Sequence, residues 1–264
     1  MHAGPFHTDS ALEVAGIGKL WRAGRTGGGD WPDRNEALLN RPVFAPRIVL
    51  GLLRLQRASS RWWIRIRAPQ SQPLRVHQED LCQALALPPS LKYQNEGGPG
   101  PANIAKLLRC ALPAQAADDA VRRFADALIW NWLIAGTDAH AKNYSLLLAQ
   151  DQVRLAPLYD VASALPSNMH EWKLRFAMKI GGDYRVFPCQ NIWPEAAREL
   201  ALDADALVGR VRVLAAKAPD VFADAAKAPD VDALDRPLPT RLVDLIAARS
   251  ARCSQLVGGS APAT

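Results

Sequence analysis

Asp138, His140, Lys142 and Asn143 fall within six residues, and Asp160 follows two apolar runs later. Asp138 is of the type that accepts a proton from an attacking hydroxyl, and it stands five residues before Asn143. Asn143 and Asp160 offer hard oxygen donors, the kind Mg²⁺ takes. A base, an oxygen ligand, a hairpin and then a second acid is the order of groups on the catalytic side of a phosphoryl-transfer enzyme. Each residue alone has a plainer use. Asp138 and Asp160 suit turns, Asn143 suits backbone capping, His140 suits a hydrogen-bonded loop and Lys142 suits the surface. The combination carries the reading.

These groups need a mount on each side. Val121, Phe124, Ala125, Leu128, Ile129, Trp132 and Leu133 recur at helical spacing, so one amphipathic helix leads into the cluster. Asp118 or Asp119 suits its N-cap and Gly136 its C-terminal stop, after which Thr137 leads directly into Asp138. The aromatic stripe is read as core. Tyr144–Leu148 and Val153–Leu158 flank a polar turn and predict a β-hairpin over about 144–158. A hairpin there returns Asp160 to the neighbourhood of Asn143.

The other elements are mostly helical. Gln78-Glu79-Asp80 predicts a helix start, stopped by Pro88-Pro89, and Lys92–Pro101 is a loop ending in Gly97-Gly98-Pro99-Gly100-Pro101. Helices are expected at Ala102–Leu112, Trp193–Leu200, Asp203–Ala216 with a further part from Pro219 to Ala226, and Pro239–Leu256. Residues 173–180 are short and mixed, with a turn at 181–184. The class is mainly α (α+β), and residues 259–264 are a loose tail.

The charge is uneven. Residues 1–75 hold 12 Lys+Arg, 11 of them Arg, against 5 Asp+Glu, whereas the other 189 residues hold 20 against 21. A basic arm for nucleic acid is one reading of that front, and it predicts salt-sensitive binding there. Segments 47–56 and 60–67 each have the apolar content for one element, but Gly27-Gly28-Gly29 and Trp31-Pro32 break any period. A GIGK string at 16–19 lacks phosphate-loop spacing. Cys82, Cys110, Cys189 and Cys253 form no paired motif, so reduced, cytoplasmic surroundings are expected. No apolar run reaches the ~18 residues of a membrane span, and no leader pattern opens the chain.

From about residue 75 the chain resembles the HipA family of serine/threonine kinases, toxins of bacterial toxin–antitoxin pairs. The strings that carry the resemblance are RVHQEDLCQALALPPSLKYQNEGGPG at 75–100, LIWNWLIAGTDAHAKNYSLLL at 128–148, LAPLYDVASALP at 155–166 and KLRFAMKIGGDYR at 173–185. The resemblance implies the helical C-terminal lobe of a two-lobed kinase over 75–258. It implies Asp138 as catalytic base toward a substrate serine. His140, Ala141, Lys142 and Asn143 would contact ATP, with Tyr159 and Asp160, and Asn143 and Asp160 would hold Mg²⁺. His140 stands where ordinary protein kinases carry a lysine, which gives it a cationic or hydrogen-bonding role. The implied partners are a protein substrate and a HipB-like helix-turn-helix antitoxin, through which any DNA contact is indirect.

Residues 1–72 match no part of the family's β-rich small lobe, with its phosphate loop and strand lysine. The abrupt change near residue 73 is expected from a truncated or shifted reading frame, or else from a replacement domain. Weak or absent ATP turnover by the chain alone is the expectation that follows. Two other readings stand beside the kinase. One is an inactive remnant that only binds the antitoxin. The other is a metallohydrolase on Asp138, His140 and Asp160, which lacks the further histidines a zinc site wants.

Overall fold

The computed structural model describes residues 77–149, 152–167, 169–187, 192–228, 231 and 237–258. The arginine-rich segment 1–72, the elements expected within it and the tail 259–264 lie outside the described residues.

The described part opens with strand β1 (His77–Asp80), helix α1 (Leu81–Ala84) and a 3-10 turn at Gln94–Glu96. Helices α2 (Pro101–Ala111) and α3 (Ala114–Ile134) follow. A 3-10 turn at Ala141–Asn143 leads into β2 (Ser145–Ala149) and β3 (Gln152–Leu155). Another at Glu171–Lys173 precedes β4 (Arg175–Ile180) and β5 (Asp183–Arg185). Helices α4 (Trp193–Leu200), α5 (Ala204–Ala226) and α6 (Leu238–Gly258) complete the described chain. The protein is thus mainly α with two small antiparallel sheets, ordered β1-β2-β3 and β4-β5.

Helix α3 is the axis of the core. All seven residues of its expected apolar face are buried. Toward its C-terminus the other faces are covered too, with Trp130, Asn131 and Ile134 buried. Trp130 stacks on Phe222 of α5 with centroids 5.4 Å apart. Trp132 meets Trp193 of α4 edge-on at 5.4 Å, and Phe124 meets Tyr144 at 5.2 Å. Aromatic pairs in such geometry each add ~0.5–1.5 kcal/mol beyond area burial. Arg210 of α5 holds Asp126 of α3 with a two-pronged bond at 2.8 and 3.0 Å.

Two expectations about α3 need correction. It starts at Ala114 after Pro113, so Asp118 and Asp119 lie inside it and cap nothing. It ends at Ala135, which takes the left-handed conformation with φ of 53°. Gly136 serves instead for close approach, since a Cβ there would collide with the Asn131 side chain.

Gln78 and Glu79 belong to β1 and not to a helix. The strand exists because it pairs in register with β2, from His77 opposite Leu148 to Asp80 opposite Ser145. Asp80 then caps α1, accepting from the Gln83 amide while the Gln83 side chain accepts from the Asp80 amide. The expected hairpin is β2–β3, with Leu146 opposite Leu155. The mixed segment 173–180 is largely β4. Its turn to β5 uses Gly181 and Gly182, both left-handed with φ of 56° and 79°, the geometry of a two-residue hairpin loop.

Helix α5 runs unbroken through Pro219. Its buried stripe of Leu207, Val211, Leu214, Ala218, Phe222 and Ala225 keeps helical spacing across the proline, and that burial outweighs one lost backbone bond. Helix α6 packs along α5 and inserts Leu242, Ile246, Arg249, Cys253 and Val257. Among the described residues no helix is long and apolar enough to cross a membrane.

Candidate active site

Asp138 stands at the mouth of a loop fixed at both ends. On the near side, Ser163 Oγ donates to Ile134 O at 2.6 Å, and the Ala164 amide donates to Ala135 O at 3.1 Å. The Ala177 amide of β4 donates to Thr137 O at 2.9 Å. On the far side, the Leu81 amide donates to Tyr144 O at 3.0 Å, and Ala156 to Ser145 O at 2.8 Å. The helix, both sheets and the segment after β3 therefore all hold the six residues from Asp138 to Asn143.

Inside the loop the groups are wired together. The His140 amide and the Asn143 side-chain Nδ2 both donate to Asp138 O, at 2.8 and 2.7 Å. The Asn143 amide donates to His140 O at 2.9 Å. With Nδ2 committed, Asn143 has its Oδ1 to offer a cation. Asn143 is only 6% exposed, whereas the Asp138 side chain is 58% exposed. Asp138 thus presents an accessible carboxylate from a backbone tied by several hydrogen bonds, the kind of preorganisation a general base would require.

His140 is buried, and its Nδ1 has no partner. Burial pushes its pKa below the usual imidazole value, against the nearby Asp138 carboxylate, with Lys92 adding to the fall. That direction favours the hydrogen-bonding role over the cationic one in the nucleotide-free protein. Its Nε2 is 3.9 Å from Asp138 Oδ1, beyond hydrogen-bond reach.

Ala141 is fully buried, and its amide donates to Lys92 O at 3.2 Å. Lys142 is half-buried and close to Cys82, whose thiol burial and Asp80 push up against the opposing pull of Lys142. Tyr159 donates its hydroxyl to Lys142 O and also bonds Ser145 Oγ. Burial raises that phenol to about 12, so it remains a donor. Tyr159 is thereby a staple between the loop and the turn that carries Asp160. Asp160 itself is exposed and left-handed, with φ of 52°. Its charge is felt at His140 and at Tyr159, which sets it on the same side of the protein as the loop.

Among the described residues no group of three His, Cys, Asp or Glu is arranged to hold a metal. Mg²⁺ differs from zinc in taking only one or two protein oxygens and filling its octahedron with phosphate and water. Asn143 and Asp160 are donors of that kind. The structure also adds a residue the sequence reading passed over: Tyr93 donates its hydroxyl to Asp138 Oδ1 at 3.0 Å. The glycine-rich end of its loop was the one local sign of a tightly folded segment there.

A helical axis ending in an anchored Asp-to-Asn loop, with a hairpin behind it, defines a fold that comparison with known proteins places. Residues 53–222 match the HipA-like C-terminal domain, so the chain belongs to that family. Over 107 residues it is 41% identical to a Sinorhizobium fredii (strain NBRC 101917 / NGR234) protein named "Putative kinase Y4mE", covering 40% of this chain and 24% of that protein. A chain from the solved complex of the Shewanella oneidensis MR-1 toxin–antitoxin system HipA, HipB and its operator DNA superposes with a TM-score of 0.60. Identity there is 20%, over 75% of this chain and 49% of that one, which is a likeness of fold. The matches thus span about a quarter and about half of those proteins' lengths.

Proposed function

We propose that this chain carries the catalytic lobe of a HipA-like serine/threonine protein kinase, which phosphorylates a protein serine from ATP and Mg²⁺. The observation that carries the reading is the open Asp138 carboxylate, with its own carbonyl pinned by Asn143 at 2.7 Å. ATP with Mg²⁺ supplies the transferable γ-phosphoryl group and neutralises its charge.

Asp138 takes the proton of the serine hydroxyl as that oxygen bonds to phosphorus, while the bond to the ADP oxygen breaks and ADP leaves. Asn143 and Asp160 would hold the Mg²⁺, which would neutralise phosphate charge when bound. Asn143 also ties the Asp138 backbone through its side-chain amide. His140 lies buried beside the base, its Nε2 3.9 Å from Asp138 Oδ1. Positioning and electrostatics of this kind account for most of the catalysis in phosphoryl transfer.

A HipB-like helix-turn-helix antitoxin is the proposed partner, with DNA contacted only through it. The assembly in which the solved relative stands supports that part of the reading.

The test is transfer of label from γ-labelled ATP with Mg²⁺ to the chain itself and to dephosphorylated casein. Labelling by the full chain, weak without a recognisable small lobe, lost with EDTA and reduced about 100-fold or more in Asp138→Asn, is expected. Equal labelling by Asp138→Asn refutes the assignment of the base. A chain that binds nucleotide, labels nothing and co-purifies with a HipB-like protein would instead support the inactive-remnant reading.

A further inference from the structure

The loop 91–100 supplies no group that the proposed reaction uses directly, yet it is built against the base. Lys92 O accepts from Ala141 at 3.2 Å, inside the catalytic loop. The next residue, Tyr93, donates its hydroxyl to Asp138 Oδ1 at 3.0 Å and sets its ring edge-on to His140, with centroids 5.2 Å apart. Gln94 Oε1 accepts from the Lys179 amide at 2.7 Å, on β4, the strand that also holds Thr137. Three consecutive residues thus grip the loop from behind, in front and through the neighbouring strand.

The glycines after them make that grip possible. The Gly98 amide donates to Tyr93 O at 2.9 Å, closing the loop on itself. A Cβ at Gly98 would run into the carbonyl oxygens of Leu91 and Tyr93, both backbone atoms that cannot swing away. Any side chain there moves the Leu91–Tyr93 backbone, and with it the phenol.

Resting on the kinase reading, we infer that Tyr93 is a positioning residue for phosphoryl transfer. Its O–H occupies Asp138 Oδ1 and fixes the carboxylate rotamer, so that Oδ2 faces the substrate hydroxyl. An exposed carboxylate without that bond samples several rotamers, of which few aim correctly. His140 is the floor on which the phenol ring rests, so its own role is to hold Tyr93 level with Asp138. The glycine-rich string after Tyr93 then serves the base and not a phosphate.

The experiment measures transfer to dephosphorylated casein by the full chain, its Tyr93→Phe variant and its Gly98→Ala variant. Tyr93→Phe keeps the ring on His140 and removes one hydrogen bond to a charged group. It is expected to lower kcat about tenfold while leaving the KM for ATP and the unfolding midpoint unchanged. Gly98→Ala is expected to lower kcat at least as far with the phenol still present. An unchanged kcat in Tyr93→Phe overturns the inference and leaves the kinase reading standing. So does a loss accompanied by equal changes in KM and unfolding midpoint, the mark of a merely structural role. A full chain that transfers no phosphate overturns the kinase reading itself, and this assignment with it.

Discussion

Arg249 is the residue whose removal tests the architecture most directly. It lies on the inner face of α6, is 1% exposed, and makes four bonds from one guanidinium. Nε and Nη2 donate to Trp132 O at 3.0 and 2.8 Å, Nη2 also donates to Val186 O at 2.7 Å, and Nη1 pairs with Glu171. Arg249→Ala leaves two backbone carbonyls without this donor and opens a void in the α3–α6 contact. Breaking a buried charged network costs ~3–5 kcal/mol. The lower end applies, because Glu171 is 26% exposed and keeps Arg252. A loss of about 3 kcal/mol at 2–4 °C each lowers Tm by about 6–12 °C for a domain of this size. Urea unfolding followed by tryptophan fluorescence measures the loss, with the slope against urea unchanged. Arg252→Ala is the control: its side chain is 42% exposed, so its pair with Glu171 is worth under ~1 kcal/mol. The reasoning is refuted if Arg249→Ala costs less than ~1 kcal/mol, or if the two variants cost the same.

Two further outcomes follow from the β4–β5 hairpin. At Gly181 a Cβ would collide with Ile192 O on a left-handed backbone, whereas Gly182 has open space. Gly181→Ala should therefore destabilise by ~2 kcal/mol or more and Gly182→Asn by under ~1 kcal/mol, read as urea midpoints. The Arg185 guanidinium holds the Asp183 carboxyl below the usual carboxylate range. A depressed carboxylate contributes stability above its unfolded value of about 4 that is lost as pH falls through its folded value. Asp183→Asn should flatten that part of the acid decline, by under ~1 kcal/mol for an accessible pair, in midpoints measured from about pH 6 to pH 3.

The loop from Asp138 to Asn143 was legible as a unit in the sequence because its parts are local. Asp138 and Asn143 are five residues apart, and the two apolar runs after them can pair only as a hairpin. The core face of α3 was legible for the same reason: its period is set within one helix. What escaped depends on partners far along the chain. HQED at 77–80 is polar and short, and it is a strand because β2 accepts it in register. Tyr93 meets Asp138 across 45 residues, a distance that no spacing rule spans. The charge of His140 depends on burial, which position in a motif does not reveal. Gly136 follows a helix in the manner of a stop signal, but Ala135 takes the left-handed turn and the glycine makes room for Asn131. At Pro219 the local rule pointed to a break, and the tertiary stripe of α5 overrode it.

The Arg249–Trp132 contact also has a consequence for the order in which the protein assembles. Trp132 O belongs to the last turn of α3, six residues before Asp138, yet its guanidinium partner lies 117 residues further on. During synthesis β1, α1, α2, α3 and the β2–β3 hairpin are all made before α6 exists. These early pieces share short-range contacts and can form among themselves, whereas the long closure to α6 costs more chain entropy and comes late. The Arg249 bonds to the last turn of α3 are therefore expected to form after the contacts that Ser163, Ala164 and Ala177 make to residues 134–137. The α3 end before Asp138 is thus braced twice, first by the segment that follows it and last by a helix made more than a hundred residues later.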